Sequence, residues 1–377
     1  MYWQSEYLRE AATMTRNSTY RIDLPEQGLL SALVLEFSAA PVSGASADGV
    51  NWRLGDFIGK IEVIGNGATV IKSYNLREAD FLCWLHQGIM RPHFWKNYAT
   101  QTQLDYGLLL FGRMFKDSEF GLDLSRWDNV ELRITNSATS SDLGEDISVD
   151  IKQIFLREPA GVGFGGYLRS EIWREWTTVV DETKYHTLPV EFPISTIGLL
   201  CIPGVDADNV EETALSNLAD DIDFKMRGGT RQIFKGGLDH LLIENYLERA
   251  AYVMTATQNV TTADKGFDVG IGRVIGGAWG AGSQDGAGAA TIPTMEAPRH
   301  SFTQKAETSE ADSPISSLWY GMAPFNYSWL WHEHNLRPEF LLKPRDDGPV
   351  ELNIHTRNNS AADNGTNRIL LERLVTG

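Results

Sequence analysis

Two stretches decide how this chain is read: YRIDLPEQGLLSALVLEF (Tyr20–Phe37) and YHTLPVEFPISTIGLLCI (Tyr185–Ile202). Leu24-Pro25 falls on Leu188-Pro189, Leu30-Ser31 on Ile194-Ser195, and Leu33 and Leu35 on Ile197 and Leu199, all at an offset of 164 residues. Working outward, Ile61, Val63, Gly65, Val70 and Lys72 meet Phe224, Met226, Gly228, Ile233 and Lys235 at an offset of 163. Further on, VELRIT (Val130–Thr135) meets VELNIHT (Val350–Thr356) at 220. Three echoes in the same order indicate two copies of one module, the second enlarged between its second and third echoes.

The residues within each copy alternate. Val130, Leu132 and Ile134 are separated by Glu131 and Arg133; Ile147, Val149 and Ile151 by Ser148 and Asp150. A period of two places every second side chain on one face, as a strand with one buried face requires. Gly65-Asn66-Gly67, Asp128-Asn129 and Asp346-Asp347-Gly348-Pro349 supply the turns. Each module is expected to hold one short helix, in NLREADFLCWLHQG, where Asn75 and Glu78 have capping-box spacing, and in GLDHLLIENYLERAA. Helices between most strands, which a parallel sheet needs, are missing. The expectation is an all-β chain of two tandem eight-stranded jelly rolls. The boundaries are an N-terminal arm at 1–18, a first jelly roll at 19–160, a linker at 161–183 and a second jelly roll at 184–377. A Gly-rich insertion at about 252–325 carries nine glycines between Gly266 and Gly288, and reads as a functional surface loop.

Composition narrows the function. Of 377 residues, 33 are Lys or Arg and 50 are Asp or Glu, giving a net charge of −17 and no basic cluster that would track phosphates. Direct nucleic-acid binding is not expected. No apolar run approaches the ~18 residues of a membrane-crossing helix, and MYWQSEYLREAATM lacks the basic start and apolar core of a signal peptide. Cys83 and Cys201 sit in apolar surroundings and read as buried hydrophobes, in a chain suited to a reducing interior.

Tandem all-β modules, extended Leu-Pro strand starts, a helix in mid-module and the closing passage FGRMFKDSEFGLDLSRWDNVELRIT (Phe111–Thr135) together resemble the double jelly-roll major capsid proteins of tailless icosahedral viruses. That lineage includes membrane-containing bacteriophages and the adenovirus hexon. The resemblance spans about Tyr20 to Leu374. It implies a homotrimer of roughly hexagonal outline that assembles with neighbouring capsomers into a virion shell in the host cytoplasm. Penton or minor capsid proteins and an internal membrane are implied as further partners. Inserted loops form towers and trimer contacts in that family, so Gly266, Trp279 and Pro293 become candidate assembly residues, with Tyr2 and Trp3 of the N-terminal arm. No catalytic residue, cofactor or metal is expected.

Three chemical readings compete with it. Gly161, Gly163 and Gly166 in GVGFGG match a dinucleotide fingerprint, which requires a helix directly after it. His332 and His334 share one strand face, and with Glu339 and His355 they resemble the ligands of a bicupin metal-dependent enzyme. A tandem β-sandwich carbohydrate-binding protein would use exposed tryptophans such as Trp279.

Overall fold

The computed structural model describes residues 1–40, 54–88, 102–140, 143–157, 163–202, 218–249, 321–322, 327–358 and 364–376. Within 95–97 and 252–321 it describes the strands by their backbone pairing. The first half contains β1 (Tyr2–Met14), β2 (Ser18–Asp23), β3 (Leu29–Ala39), β4 (Ile58–Gly65), β5 (Thr69–Tyr74) and helix α1 (Leu76–Gln87). It continues through β6 (Trp95–Asn97), β7 (Gln103–Leu110), β8 (Leu122–Asp123), β9 (Val130–Asn136) and β10 (Ile147–Arg157). The second half opens with β11 (Tyr167–Thr177), β12 (Thr183–Thr187), β13 (Ile194–Ile202), β14 (Ala219–Met226), β15 (Arg231–Gly236) and helix α2 (Leu238–Glu248). Then come β16 (Tyr252–Val260), β17 (Lys265–Asp268), β18 (Val274–Ala281), β19 (Pro293–Met295), β20 (Ser301–Gln304) and β21 (Ser313–Gly321). The chain closes with β22 (Tyr327–His332), β23 (Glu351–Thr356) and β24 (Thr366–Val375).

Strand order shows the duplication directly. One sheet of the first half runs β1-β10-β3-β7 and its counterpart runs β11-β24-β13-β22; the opposing sheets run β2-β9-β4-β5 and β12-β23-β14-β15. Each half thus has a framework of eight strands in two facing sheets of four, with the two-residue β8 added beside β3 in the first, the jelly-roll arrangement expected. The inner faces make two apolar cores, one around Leu33, Leu35, Ile61, Val63, Leu132, Ile134, Val149 and Ile151. The other surrounds Ile197, Leu199, Ile222, Phe224, Leu352, Ile354, Ile369 and Leu371.

Several sequence boundaries move. Tyr2–Met14 is not an arm outside the first jelly roll but its edge strand, antiparallel to β10 from Tyr2↔Arg157 to Met14↔Ile147. Glu6, Arg9 and Glu10 lie along this strand, and charge on an edge guards it against uncontrolled pairing. Most of the expected linker is likewise strand β11, paired with β24 from Tyr167↔Val375 to Thr177↔Thr366. Pairing also corrects the second echo. Ile61 and Ile222 occupy equivalent rungs, opposite Ile134 and Ile354, so β4 and β14 correspond at 161 residues. Tyr74 and Gly236 pair with Ile61 and Ile222, so β5 and β15 correspond at 162. Both hairpins carry a register shift at the same rung, between Val63 and Ile64 and between Phe224 and Lys225.

The insertion is less loop-like than its glycines suggest. β16, β18 and β21 form one antiparallel sheet, extended by β6 from the first half; β17, β20 and β19 form another. Ladder hydrogen bonds along Val274–Ala281 and Ser313–Gly321 offset the entropic cost of strand glycines. The backbones of Gly266, Trp279 and Pro293 fall in β17, β18 and β19, while their side chains lie outside the described residues.

Candidate functional site at the seam between the jelly rolls

The two halves join edge to edge. β5 pairs in parallel with β11 through Lys72↔Ser170 and Ser73↔Glu171, merging two four-stranded sheets into one of eight. Helix α1 covers this joint. Glu78 Oε2 accepts the Asn75 amide at 3.1 Å at its start, the expected capping contact, and Gly88 at φ 64° stops it. Phe81 stacks on Tyr327 with ring centroids 4.5 Å apart, and Trp84 meets Trp329 at 5.7 Å. Gly198 makes the contact possible, because a Cβ there would come within 3.0 Å of the Phe81 ring. The Tyr327 hydroxyl donates to Glu78 Oε1 at 2.7 Å, and Arg368 Nη1 donates to the same oxygen at 3.0 Å.

Beneath α1 runs a row of polar side chains, one from each of five adjacent strands. Lys72 opposes Ser170, Ser170 opposes Glu372, Glu372 opposes Thr196, and Thr196 opposes His332. Lys72 Nζ donates to Ser170 Oγ at 2.8 Å, and Ser170 Oγ donates to Glu372 Oε2 at 2.7 Å. Thr196 Oγ1 lies 3.1 Å from His332 Nδ1. His86, near the end of α1, reaches down to place Nε2 2.5 Å from Glu372 Oε1. Lys72, Ser170, Thr196, His86 and Glu372 are all buried. Buried charges persist only when paired and hydrogen-bonded, and this row satisfies that condition across the joint.

Electrostatics follow from burial. Burial alone would raise the Glu372 carboxyl, but His86, Lys72 and the Ser170 hydroxyl outweigh it and hold it down to about 2. Burial lowers the Lys72 ammonium to about 8, with Glu372 opposing the shift. His332 is pushed well below the ordinary imidazole range, chiefly by burial and then by His86 and Arg249. His334 is lowered for the same reasons in the same order.

In the first jelly roll the matching row keeps a serine, Ser5 opposite Ile154, but is apolar beyond it. Ala32, opposite both Ile154 and Leu110, occupies the rung of Thr196, which is opposite Glu372 and His332. Ala32, Leu110 and Ile154 form a small buried cluster flanked by Trp3, Val34, Leu108 and Phe115. The polar row is therefore a feature of one module and not a general requirement of the fold.

The residues singled out from sequence are distributed as follows. His332 and His334 do come together, but their third partner is His86, 286 residues before Glu372 in sequence yet bonded to it. Glu339 is exposed and outside this group. His355 lies on β23 in the other sheet, with Nδ1 2.6 Å from Asp220 and Nε2 3.4 Å from Asp181. The bicupin ligand set is therefore not assembled among the described residues. Gly166 is followed by strand β11 and not a helix, and a Cβ there would lie 2.4 Å from the Val375 carbonyl oxygen. The glycine serves that close approach, and the dinucleotide reading fails. Cys83 and Cys201 are buried, their thiols pushed up to about 12 by burial, as expected of inert core residues. Tyr2 is half exposed at 52%, and Trp3 packs against the apolar cluster just described. Among the described residues no helix is long and apolar enough to cross a membrane.

No protein-family model and no curated protein matches the chain. Solved structures do. The structure of the STIV MCP is similar over 100% of this chain and 97% of its own, with a TM-score of 0.59 at 11% identity. The quasi-atomic model of the PBCV-1 virus capsid is similar over 99% and 93%, with a TM-score of 0.54 at 11% identity. The major capsid protein P2 from bacteriophage PM2 is similar over 100% and 98%, with a TM-score of 0.52 at 11% identity. At this identity the likeness is one of fold. The chain has the double jelly-roll fold.

Proposed function

We propose that this chain is a major capsid protein, and that copies of it join head to tail into a trimer by repeating the joint that already links its two halves. One observation carries the reading: the surfaces used at the internal joint have uncovered counterparts at the opposite ends of the molecule. Phe81, Trp84 and Leu85 of α1 are buried, Phe81 and Trp84 against Tyr327 and Trp329 of the second jelly roll. At the helix offset of 162, their counterparts on α2 are Ile243, Tyr246 and Leu247, exposed by 42%, 37% and 78%. An apolar helix stripe left open in this way marks a partner surface.

The receiving surface is the outer face of the β1-β10-β3-β7 sheet, equivalent to the face on which α1 sits. Leu108 stands where Trp329 stands in the second module, and Tyr106 where Tyr327 does. Glu36 and Lys152 replace Leu200 and Leu370. A more polar surface suits a joint that forms between separately folded chains. The edges match as well. Among the described residues β15 is a free sheet edge, as β5 would be without β11, and β1 is the counterpart of β11. The internal pairing Ser73↔Glu171 transposes to Lys235 opposite Glu6 of a second copy, a pair of opposite charges. Three such joints close a ring of six similar jelly rolls, and heterologous contacts that close give a finite oligomer.

The fold likeness to viral shell proteins supports the next level, assembly of trimers into an icosahedral shell located in the virion. Penton proteins, minor shell proteins, an internal membrane and assembly in the host cytoplasm belong to the same proposal. So do the assembly roles of Gly266, Trp279, Pro293, Tyr2 and Trp3. The net charge of −17 assigns genome neutralisation to other molecules. No reaction is involved; the work is burial of complementary surfaces, roughly 1,000 Å² or more at each specific joint. Electron micrographs of the purified full-length chain test the proposal. Hexagonal outlines are expected, and disordered or two-fold particles would refute it. Deleting Gly266–Pro293 is expected to weaken trimers with both jelly rolls still folded; unchanged trimers would remove the insertion from the assembly contacts.

A further inference from the structure

We propose that His86, His332 and His334 form a binding site for a divalent transition metal, zinc above all, which ties the helix of the first jelly roll to the sheet of the second. One ligand nitrogen from each ring lies within 4.8 Å of the other two. The rings come from α1, from the end of β22 and from the turn after it, with centroids 5.3, 6.3 and 6.1 Å apart. Zinc–nitrogen bonds of about 2.0–2.1 Å place tetrahedral ligand nitrogens about 3.4 Å apart. The rings would need to close by on the order of 1 Å, within reach of rotation about the soft imidazole torsion.

Orphaned atoms point to the ligand. His86 is 1% exposed, and its Nδ1 has no hydrogen-bond partner among the described residues; the buried Nδ1 of His334 has none either. A buried ring nitrogen without a partner costs about 1–3 kcal/mol, and a metal would satisfy it. Glu372 completes the pattern. Its carboxylate can only accept from His86 Nε2, so that nitrogen carries a proton and Nδ1 is left as the ring's ligand atom. A carboxylate behind a histidine is the usual outer support of a zinc ligand. His332 is held similarly, with Nδ1 against Thr196 Oγ1, which leaves Nε2 for the ion.

Duplication supplies an internal control. At the equivalent positions of the free joint stand Glu248 for His86, Ile154 for Glu372 and Leu110 for His332. The fold holds this corner with apolar side chains in the first jelly roll, so the histidines answer to something other than packing. One group opposes the ion. Arg249 Nη2 lies 3.4 Å from His332 Nε2 and must withdraw for the metal to enter.

Metal-stripped full-length protein titrated with Zn²⁺ tests the site. About one equivalent per chain, a raised Tm, and tetrahedral Co²⁺ absorption on substitution are expected. His334→Ala, at a half-exposed position outside the buried hydrogen-bond row, is expected to weaken zinc binding on the order of 100-fold or more, and Glu372→Gln by about 10–100-fold. Arg249→Gln is expected to tighten it, and His355→Ala to leave it unchanged. Absence of stoichiometric zinc in the parent protein would overturn the site, as would loss of binding in His355→Ala but not in His334→Ala. Arg249→Gln without effect would remove His332 from the ligand set.

Discussion

Gly198 and Asp117 illustrate how individual residues govern this fold. Gly198 has no Cβ because Phe81 occupies that space, whereas its counterpart on the first module's outer sheet face is Val34. Gly198→Val is therefore expected to push α1 off the seam and cost about 1–3 kcal/mol, read as a lowered midpoint of denaturation. An unchanged midpoint would show that α1 does not press on that face. Asp117 accepts from Arg113 Nε and Nη2, both at 2.9 Å, and from the backbone amides of Arg113 and Glu119. Burial would raise its carboxyl, but these donors outweigh burial and lower it below 3.8. A depressed folded value means the contribution is complete above the unfolded value of 3.8 and is lost as pH falls through the folded one. Asp117→Asn is accordingly expected to be less stable than the parent above pH 4, with the difference shrinking on acidification below it. Parallel stability curves down to pH 2 would contradict this.

Helices α1 and α2 are the same element in two settings, and the contrast tests the reading at their scale. Leu85 is buried at 0% and Leu247 is 78% exposed, although they occupy equivalent positions. Leu85→Asp is expected to unfold or severely destabilise the chain. Leu247→Asp is expected to leave its thermal midpoint unchanged while abolishing the oligomer. If Leu247→Asp still oligomerised, α2 would not be the docking helix. The strands show what sequence could and could not reveal. Alternation such as Val-Glu-Leu-Arg-Ile marks a half-buried strand wherever it occurs, so the tandem β architecture was legible. The strongest echo has no alternation to mark it: Tyr2, Ser5, Glu6, Arg9, Glu10 and Thr13 recur as Tyr167, Ser170, Glu171, Arg174, Glu175 and Thr178 at an offset of 165. It lies in segments that read as arm and linker, because edge and joint strands carry polar residues on both faces and lack clean alternation. Bulges and turn lengths shift the offset between strands, which is why a constant 163 misplaced β4 and β5.

Over the whole molecule, the candidate site lies where the two halves meet, and that place is invisible along the chain. The pair His332 and His334 was legible from its spacing. His86, Lys72, Ser170 and Glu372 were not, because helix α1 and five strands from distant segments bring them together. The fold itself was inferable because duplication repeats the buried pattern; the seam was not, because there the copies differ, with Glu372 and His332 standing where the first module has Ile154 and Leu110. The claim that copies of this chain repeat their internal joint is tested most directly by the solution mass of the purified full-length protein, measured by light scattering across a concentration series. A plateau at about three times 42.0 kDa is expected. A mass that stays at 42.0 kDa, or settles at two chains, would contradict it.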